Sequence, residues 1–350
     1  MSVQINAVAT AVPEFTRKTA EIIPFLEEWL HGQDDRFIRK VVKIFESALV
    51  DQRYAIMDPV SVFTAGTFAQ KNRIYKEAAI TLGTRVLEEA LQQANWNPEE
   101  LDYIITVSCT GIMIPSLDAY LINKVGLKQD VVRLPVTEMG CVAGVSALIY
   151  ATHFLKANPG KKAAIVAFES PSATFQLDDF SMANMVSAAI FGDGAACVLL
   201  SESEEVTHPK ILSHEMYHFF DKEHMMGFDL VEGGLKMVLD VEVPDTIAEH
   251  FPNIIHPFLE KNKRTIDQID HLIFHPGGKK IIQTVEALFG DLGKNLNATK
   301  SVLSRYGNMS SATVLFVLEE VLKSKPKSGE LGLMLSFGPG FTAQRLLIEF

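Results

Sequence analysis

Residues 138–144 read EMGCVAG, and they lead into an apolar helical run followed by a strand-like run. Residues 305–311 read RYGNMSS, and they lead into the same two elements in the same order. Cys141 in the first copy stands where Asn308 stands in the second, each directly after a glycine. An internal repeat of this kind predicts a duplicated fold. One copy carries a candidate nucleophile and the other a hydrogen-bond donor, which indicates an enzyme.

The similarity between the copies extends upstream of these two segments. Residues 101–105 read LDYII, and residues 269–273 read IDHLI. A helical pattern precedes each of them, from about residue 78 to residue 94 in the first copy and over residues 252–261 in the second. The order helix, strand, reactive segment, helix, strand is therefore predicted twice.

A further strand-like run closes each copy, at residues 191–200 and at residues 344–350. The second of these is predicted to be a core strand rather than a loose tail. Buried runs that alternate with helices predict an α/β fold in which helices cover mixed sheets. The repeat predicts two similar halves, residues 1–205 with the cysteine and residues 206–350 with the asparagine. The boundary between them falls in the polar and acidic stretch 201–208.

Composition narrows the class of protein. The 350 residues are 47% hydrophobic and 21% charged, as in a soluble globular protein, and the net charge of −11 argues against a nucleic-acid partner. Three cysteines make a disulfide framework improbable, and no cysteine or histidine spacing typical of a metal site occurs. The first residues lack the pattern of a signal peptide, and no membrane span is expected, so a cytoplasmic location is predicted.

Cys141 is the strongest candidate nucleophile. It follows Gly140 at the predicted start of a helix rich in small residues, where the positive helix end and a neighbouring imidazole would favour a thiolate. The alternative is a buried structural cysteine, the usual role of this residue. Cys197 lies within an apolar strand and is expected to be inert core, whereas Cys109 ends a strand and either role is open.

Two further residues have settings that suggest chemistry. His275 follows the strand-like run 272–274 and precedes a glycine turn, where open α/β sheets place ligands, although a hydrogen-bonded loop histidine is the alternative. Asn308 is expected either to cap a helix or to donate its amide to an oxyanion, and the symmetry with Cys141 favours the second role.

A basic face is predicted on one helix near the beginning of the chain. The basic residues Arg36, Arg39, Lys40 and Lys43 are spaced so that they share one side of the helix. They would either bind the phosphates of a carrier or form an ordinary solvated face.

Four motifs together resemble those of type III polyketide synthases, the chalcone and stilbene synthase family within the thiolase-like superfamily. They are GCVAG at 140–144, FHPGG at 274–278, YGNMSSA at 306–312 and FGPGF at 337–341. The resemblance covers essentially the whole chain in the right order, and the segment at 107–111 is similar to bacterial members.

The resemblance implies a five-layered αβαβα fold and a homodimer. It also implies iterative decarboxylative condensation of malonyl-CoA onto an acyl-CoA starter, followed by closure to a pyrone, a resorcinol or a related aromatic polyketide. Cys141 matches the nucleophile that carries the chain as a thioester, and His275 and Asn308 match the pair that promotes decarboxylation and holds the enolate. No metal and no cofactor besides the CoA thioesters is implied.

The resemblance also implies residues around the substrate. Phe191 matches the gatekeeper between the CoA tunnel and the cavity, and Lys40 and Lys43 match contacts to CoA phosphates. Further cavity positions are implied, one of which, Ile114, would reach into the partner subunit; they are Cys109, Ile114, Thr174, Ser187, Met237, Ser310 and Pro339. Four positions depart from the pattern of the family or of its plant members. Ser47 replaces a third basic CoA contact, Ser336 and Ser187 each replace a glycine, and Met237 replaces a second gatekeeping phenylalanine.

Two other functions fit the sequence less well. A ketoacyl synthase III-like enzyme would use the same residue types with an acyl-carrier-protein donor, and the FGPGF and HPGG motifs argue against it. A non-catalytic acyl-binding protein of the same fold would be expected to lack one of the three motif residues. The starter stays open between a long fatty acyl-CoA and malonyl-CoA alone.

Overall fold

The computed structural model describes residues 2–64, 66–205, 207–290 and 294–350. The strands within these ranges are β1 (Ser2–Ala11), β2 (Phe15–Lys18), β3 (Gln52–Ala55), β4 (Tyr103–Val107), β5 (Val132–Val136), β6 (Lys162–Glu169), β7 (Gly194–Ser203), β8 (Lys210–His218), β9 (Met226–Val231), β10 (Gly234–Leu239), β11 (His271–Phe274), β12 (Leu331–Gly338) and β13 (Thr342–Glu349). The helices are α1 (Thr19–Trp29), α2 (Asp35–Ser47), α3 (Pro59–Thr64), α4 (Phe68–Ala94), α5 (Leu117–Val125), α6 (Ala143–Ala157), α7 (Met182–Ile190), α8 (Val243–Lys261), α9 (Lys279–Gly290), α10 (Asn297–Tyr306) and α11 (Thr313–Lys323).

The main sheet has the strand order β11-β12-β13-β8-β1-β7-β6-β4-β5. In the first half, β4 is parallel to β6, and β6 is antiparallel to β7. In the second half, β11 is parallel to β12, and β12 is antiparallel to β13. The halves are joined where β1 pairs with β8 through Val3–Ile211 and Gln4–Lys210. The repeat in the sequence is therefore a repeat of structure.

Alternate residues of each strand enter different apolar clusters, because successive side chains point to opposite faces of a sheet. Ile105 and Met334 face a shared central layer that contains α6 and α11, whereas Ile104 faces α4 and Leu333 faces the cluster that contains α8 and α9. The layers are thus helices, sheet, helices, sheet, helices. This confirms the predicted αβαβα class, in which strands are buried on both faces.

Several element boundaries differ from the sequence expectation. Helix α4 begins at Phe68, well before residue 78, because Thr67 and Gln70 form a capping box there. Helix α8 begins at Val243 and contains Pro252 and Pro257, whereas the prediction began at the first of these prolines. The terminal strand is confirmed, since β13 lies between β12 and β8.

One apolar run has the length of a membrane span, although no membrane span was expected. Gly140–Ala157 is long and apolar enough by composition to cross a membrane, but 72% of it is buried within the protein. It corresponds to the core helix α6 and the turn before it. Cys197 in β7 is fully buried, as its apolar strand predicted.

Candidate active site

The three motif residues lie on the wall of one cavity, together with Cys109, Phe191, Met237, Ser310 and Pro339. Cys141 lies in a 3-10 turn, Gly140–Val142, that precedes α6, and Asn308 lies just before the equivalent turn Ser310–Ala312 that precedes α11. The two helix starts are in contact, since a Cβ on Gly144 would lie 2.3 Å from the carbonyl oxygen of Ser311. The duplication therefore brings both reactive segments to one place.

Cys141 is a half-buried free thiol. Its Sγ lies 3.5 Å from Ser310 Oγ, and the same hydroxyl lies 3.5 Å from Cys109 Sγ. Burial raises the pKa of the Cys141 thiol to about 12, which outweighs the lowering effect of the Ser310 hydroxyl. Burial of the site therefore opposes the thiolate that the helix start was expected to favour.

His275 is 2% exposed, and neither ring nitrogen has a hydrogen-bond partner within the described ranges. Its backbone N–H donates to the Leu335 carbonyl at 2.9 Å, which fixes the residue against β12. Burial lowers the pKa of the imidazole to about 3, so the ring is neutral. A neutral ring with both nitrogens free at a cavity wall can accept one proton and donate another to a bound molecule.

Asn308 uses the two ends of its amide differently. Its Oδ1 accepts from the Ser310 backbone N–H at 2.8 Å and from Thr313 Oγ1 at 3.2 Å. Its Nδ2 has no hydrogen-bond partner among the residues that the structure describes. Asn308 is not the N-cap of this turn, since Met309 occupies that position. Its oxygen instead accepts from the turn itself, which leaves the N–H₂ free at the cavity.

The cavity adjoins a second one, whose wall contains Thr174, Ser187, Phe191 and Met237. Phe191 and Met237 line both cavities and so lie between them. Most of the remaining wall of the second cavity is apolar, with several aromatic rings, among them Phe15, Phe45, Phe63 and Phe175.

The remaining candidates lie away from these walls. Ile114 is 92% exposed and lines neither cavity. Lys40 and Lys43 are exposed on α2, and the buried face of that helix contributes Phe45 to the second cavity. No group of three or more potential metal ligands occurs in the described part of the chain.

Glu169 contacts the cavity residue Cys109, and the sequence analysis missed it. Its fully buried carboxylate accepts from the Cys109 backbone N–H at 3.0 Å, from Thr110 Oγ1 at 2.7 Å and from Ser311 Oγ at 2.5 Å. Burial raises the pKa of this carboxyl group. It joins the segment that follows β4 to the turn that precedes α11, and Cys109 Sγ lies 3.6 Å from its carboxylate. A lone acid ending the apolar run at 163–168 was the signal that could have found it.

A cavity that combines a thiol, a neutral imidazole and a free amide donor at paired helix starts defines a thiolase-like condensing enzyme. The family follows from the sequence: residues 3–203 match the chalcone and stilbene synthase N-terminal domain, and residues 213–350 match the C-terminal domain. The chain belongs to the chalcone and stilbene synthase family. It is a type III polyketide synthase, an acyltransferase that forms carbon–carbon bonds by decarboxylative condensation.

Individual relatives resemble the chain over nearly its whole length. The 1,3,6,8-tetrahydroxynaphthalene synthase of Streptomyces peucetius subsp. caesius is 30% identical, with 99% of this chain and 93% of the relative covered. The phloroglucinol synthase of Pseudomonas fluorescens is 30% identical, with 97% and 96% covered. The crystal structure of 1,3,6,8-tetrahydroxynaphthalene synthase from Streptomyces coelicolor A3(2), described as a bacterial type III polyketide synthase, superposes with a TM-score of 0.93 at 26% identity over 99% of both chains.

Proposed function

We propose that this protein loads an acyl-CoA starter on Cys141, extends it with malonyl-CoA, and closes the product to a pyrone, a resorcinol or a related aromatic polyketide. The observation that carries the proposal is the shared cavity of Cys141, His275 and Asn308, with a free nitrogen donor on each of the last two. The two relatives described above are named for aromatic products, tetrahydroxynaphthalene and phloroglucinol, which supports an aromatic polyketide as the product class.

Loading forms the Cys141 thioester. The thiol is protonated at rest, so attack on the starter carbonyl requires its proton to leave as the carbon–sulfur bond forms. The neutral ring of His275 accepts this proton and passes it to the departing CoA thiolate. The imidazole begins and ends neutral, in agreement with its lowered pKa.

Extension begins with loss of CO2 from malonyl-CoA. The electron pair of the broken bond moves towards the thioester oxygen and forms an enolate. The N–H of neutral His275 and the free amide of Asn308 stabilise that oxygen, and preorganised donors of this kind contribute about 3 kcal/mol each. The reaction therefore requires no cofactor beyond the CoA thioesters. The enolate carbon then attacks the Cys141 thioester carbonyl, the carbon–sulfur bond breaks, and the cysteine leaves as a thiolate while the lengthened chain stays on the CoA of the extender. For a further extension this thiolate attacks the new CoA thioester, and the departing CoA thiolate takes a proton from water.

The second cavity supports a starter with an apolar body. Its apolar wall would receive an acyl chain beyond Phe191, next to Thr174, Ser187 and Met237. Lys40 and Lys43, exposed on α2, would contact the phosphates of CoA outside. An almost fully exposed Ile114 supports a homodimer in which this side chain enters the partner. We expect the enzyme to work in the cytoplasm, where free cysteines stay reduced.

The test is to supply the purified protein with malonyl-CoA and a panel of acyl-CoA starters, without a carrier protein, and to identify products by mass spectrometry. Cys141→Ala is expected to abolish extension, whereas Cys197→Ala, which removes a thiol from the core, should keep it. Extension by the Cys141→Ala variant, or an absolute requirement for an acyl carrier protein, would contradict the proposal.

A further inference from the structure

Ser336 is fully buried in β12, at the position where the sequence departs from the family's glycine. Its Oγ donates a hydrogen bond to the backbone carbonyl of Cys141 at 2.8 Å. The bond joins two segments far apart in sequence: the last strand pair of the second half and the nucleophile turn of the first.

The carbonyl that receives this bond lies at the edge of the helix hydrogen-bond pattern. Val142 is the N-cap residue of α6, so its own carbonyl is the first that the helix uses. The Cys141 carbonyl precedes it and is bound from outside the helix by the Ser336 hydroxyl. The peptide plane that carries the nucleophile is therefore held by a side chain of the opposite half.

The surrounding backbone is packed closely enough to make this anchor specific. A Cβ on Gly338 would lie 2.8 Å from the Val142 backbone nitrogen, and a Cβ on Gly140 would lie 2.6 Å from Pro339 Cδ. The segment 336–340 thus lies directly against the nucleophile turn. The Ser336 hydroxyl, at the first position of this segment, makes a hydrogen bond, and a hydrogen bond restricts the angle between its atoms as well as their distance.

We propose that Ser336 is a positioning residue that orients Cys141 for acyl transfer. Reacting atoms must be held at about 3–3.5 Å with aligned orbitals, and a displacement of 1 Å can reduce a rate about a hundredfold. Loss of the hydroxyl frees the Cys141 peptide plane and lets the sulfur sample unproductive directions. His275 and Asn308 make no hydrogen bond to Ser336, so decarboxylation depends on it much less.

The test measures two partial reactions separately in the full-length protein. Single-turnover acylation of Cys141 by an acyl-CoA starter is followed by mass spectrometry, and CO2 release from malonyl-CoA alone is followed with a radiolabel. For Ser336→Ala we expect acylation to slow about tenfold or more, while CO2 release changes by less than about twofold. Equal losses in both reactions, or unchanged acylation, would overturn the proposal.

A matched pair of variants separates the hydroxyl from its shape. Ser336→Thr keeps the hydroxyl and Ser336→Val replaces it with a methyl group of similar size, so both introduce nearly the same strain. The threonine variant is expected to acylate at least fivefold faster than the valine variant. Equal rates for the two, with both proteins folded by circular dichroism, would show that only packing matters at this position.

Ser146→Ala is the control for loss of a buried hydroxyl in the same region. Its Oγ donates to the Val142 carbonyl at 3.1 Å within α6 and bridges no second segment. Acylation by this variant should match the wild type. The inference rests on the proposed function, and the two fail differently: a wild-type protein that never acylates Cys141 refutes the function, whereas normal acylation by Ser336→Ala refutes only the positioning role.

Discussion

Asn308→Asp tests whether the amide oxygen of Asn308 supports the turn while its amide nitrogen acts as the donor at the cavity. The substitution keeps the oxygen that accepts from Ser310 N–H and Thr313 Oγ1, and it replaces the free N–H₂ with a second oxygen. The turn before α11 is therefore preserved, while the donor at the cavity is lost. The change is close to isosteric, so packing around this almost fully buried residue is unaffected.

The nitrogen end of the amide determines the expected loss of rate, and the oxygen end determines the expected loss of stability. Removing one preorganised oxyanion donor costs about a hundredfold to a thousandfold in rate, or roughly 2.7–4 kcal/mol. A carboxylate oxygen in its place repels the enolate and increases the loss. Asn308→Ala loses the donor and also leaves the Ser310 N–H without its acceptor, which costs about 1–3 kcal/mol of stability in addition.

The assay combines radiolabelled CO2 release from malonyl-CoA with urea unfolding. Asn308→Asp should lose at least about a hundredfold in rate, and its unfolding midpoint should fall more at neutral pH than at acidic pH, because burial disfavours an ionised carboxylate at this position. Asn308→Ala should lose both rate and stability at either pH. A rate for Asn308→Asp within tenfold of wild type would refute the donor role. A stability of Asn308→Ala equal to that of wild type would refute the role of Oδ1 in supporting the turn.

Three other changes test the packing and electrostatics that hold the site. Gly144→Ala should destabilise the fold by about 1–3 kcal/mol in urea unfolding, because its new Cβ would clash with the Ser311 backbone. Gly83→Ala in α4 is the control: its Cβ would contact only flexible side chains at 3.4 Å, so this change should be neutral or stabilising. Glu169→Gln should lower the thermal unfolding temperature, since its amide N–H₂ would face groups that donate to the carboxylate. Burial raises the pKa of Asp193 to about 6, above its unfolded value, so its contribution to stability is greatest below about pH 4 and is lost as the pH rises through 6. The stability of wild type relative to Asp193→Asn should therefore fall by about 2 kcal/mol from pH 4 to pH 7, and a pH-independent difference would contradict this.

Much of the fold was predictable because it depends on patterns that are local in the sequence. The duplicated order of strands and helices predicted two similar halves, and the structure repeats β4-β6-β7 as β11-β12-β13. Helix beginnings were less predictable. The start of α4 was missed because its capping box at Thr67 does not show in the pattern of hydrophobic residues. Helix α8 continues through two prolines because the packing of its apolar face outweighs the local cost of those prolines.

The cavity was predictable only in part. Cys141, His275 and Asn308 stand out by their glycine-flanked settings, and the structure places them on one wall. Their pKa values were not predictable, because they depend on how much protein surrounds each group: burial raises the pKa of the thiol, which opposes the expected thiolate, and lowers the pKa of the imidazole. The part played by Glu169 depends on contacts to three residues from distant segments, which no local pattern reveals.

The sequence by itself determined the repeat, the family and the three candidate catalytic residues, because each can be recognised in a short motif of residue types. The tertiary structure alone decided how those motifs meet. Contact between the two helix starts at Gly144 places Cys141 beside Ser310 of the opposite half, and the bond from Ser336 to the Cys141 carbonyl crosses between halves as well. Such contacts arise from the packing of two duplicated layers, and their geometry is fixed by distance and direction in space rather than by spacing along the chain.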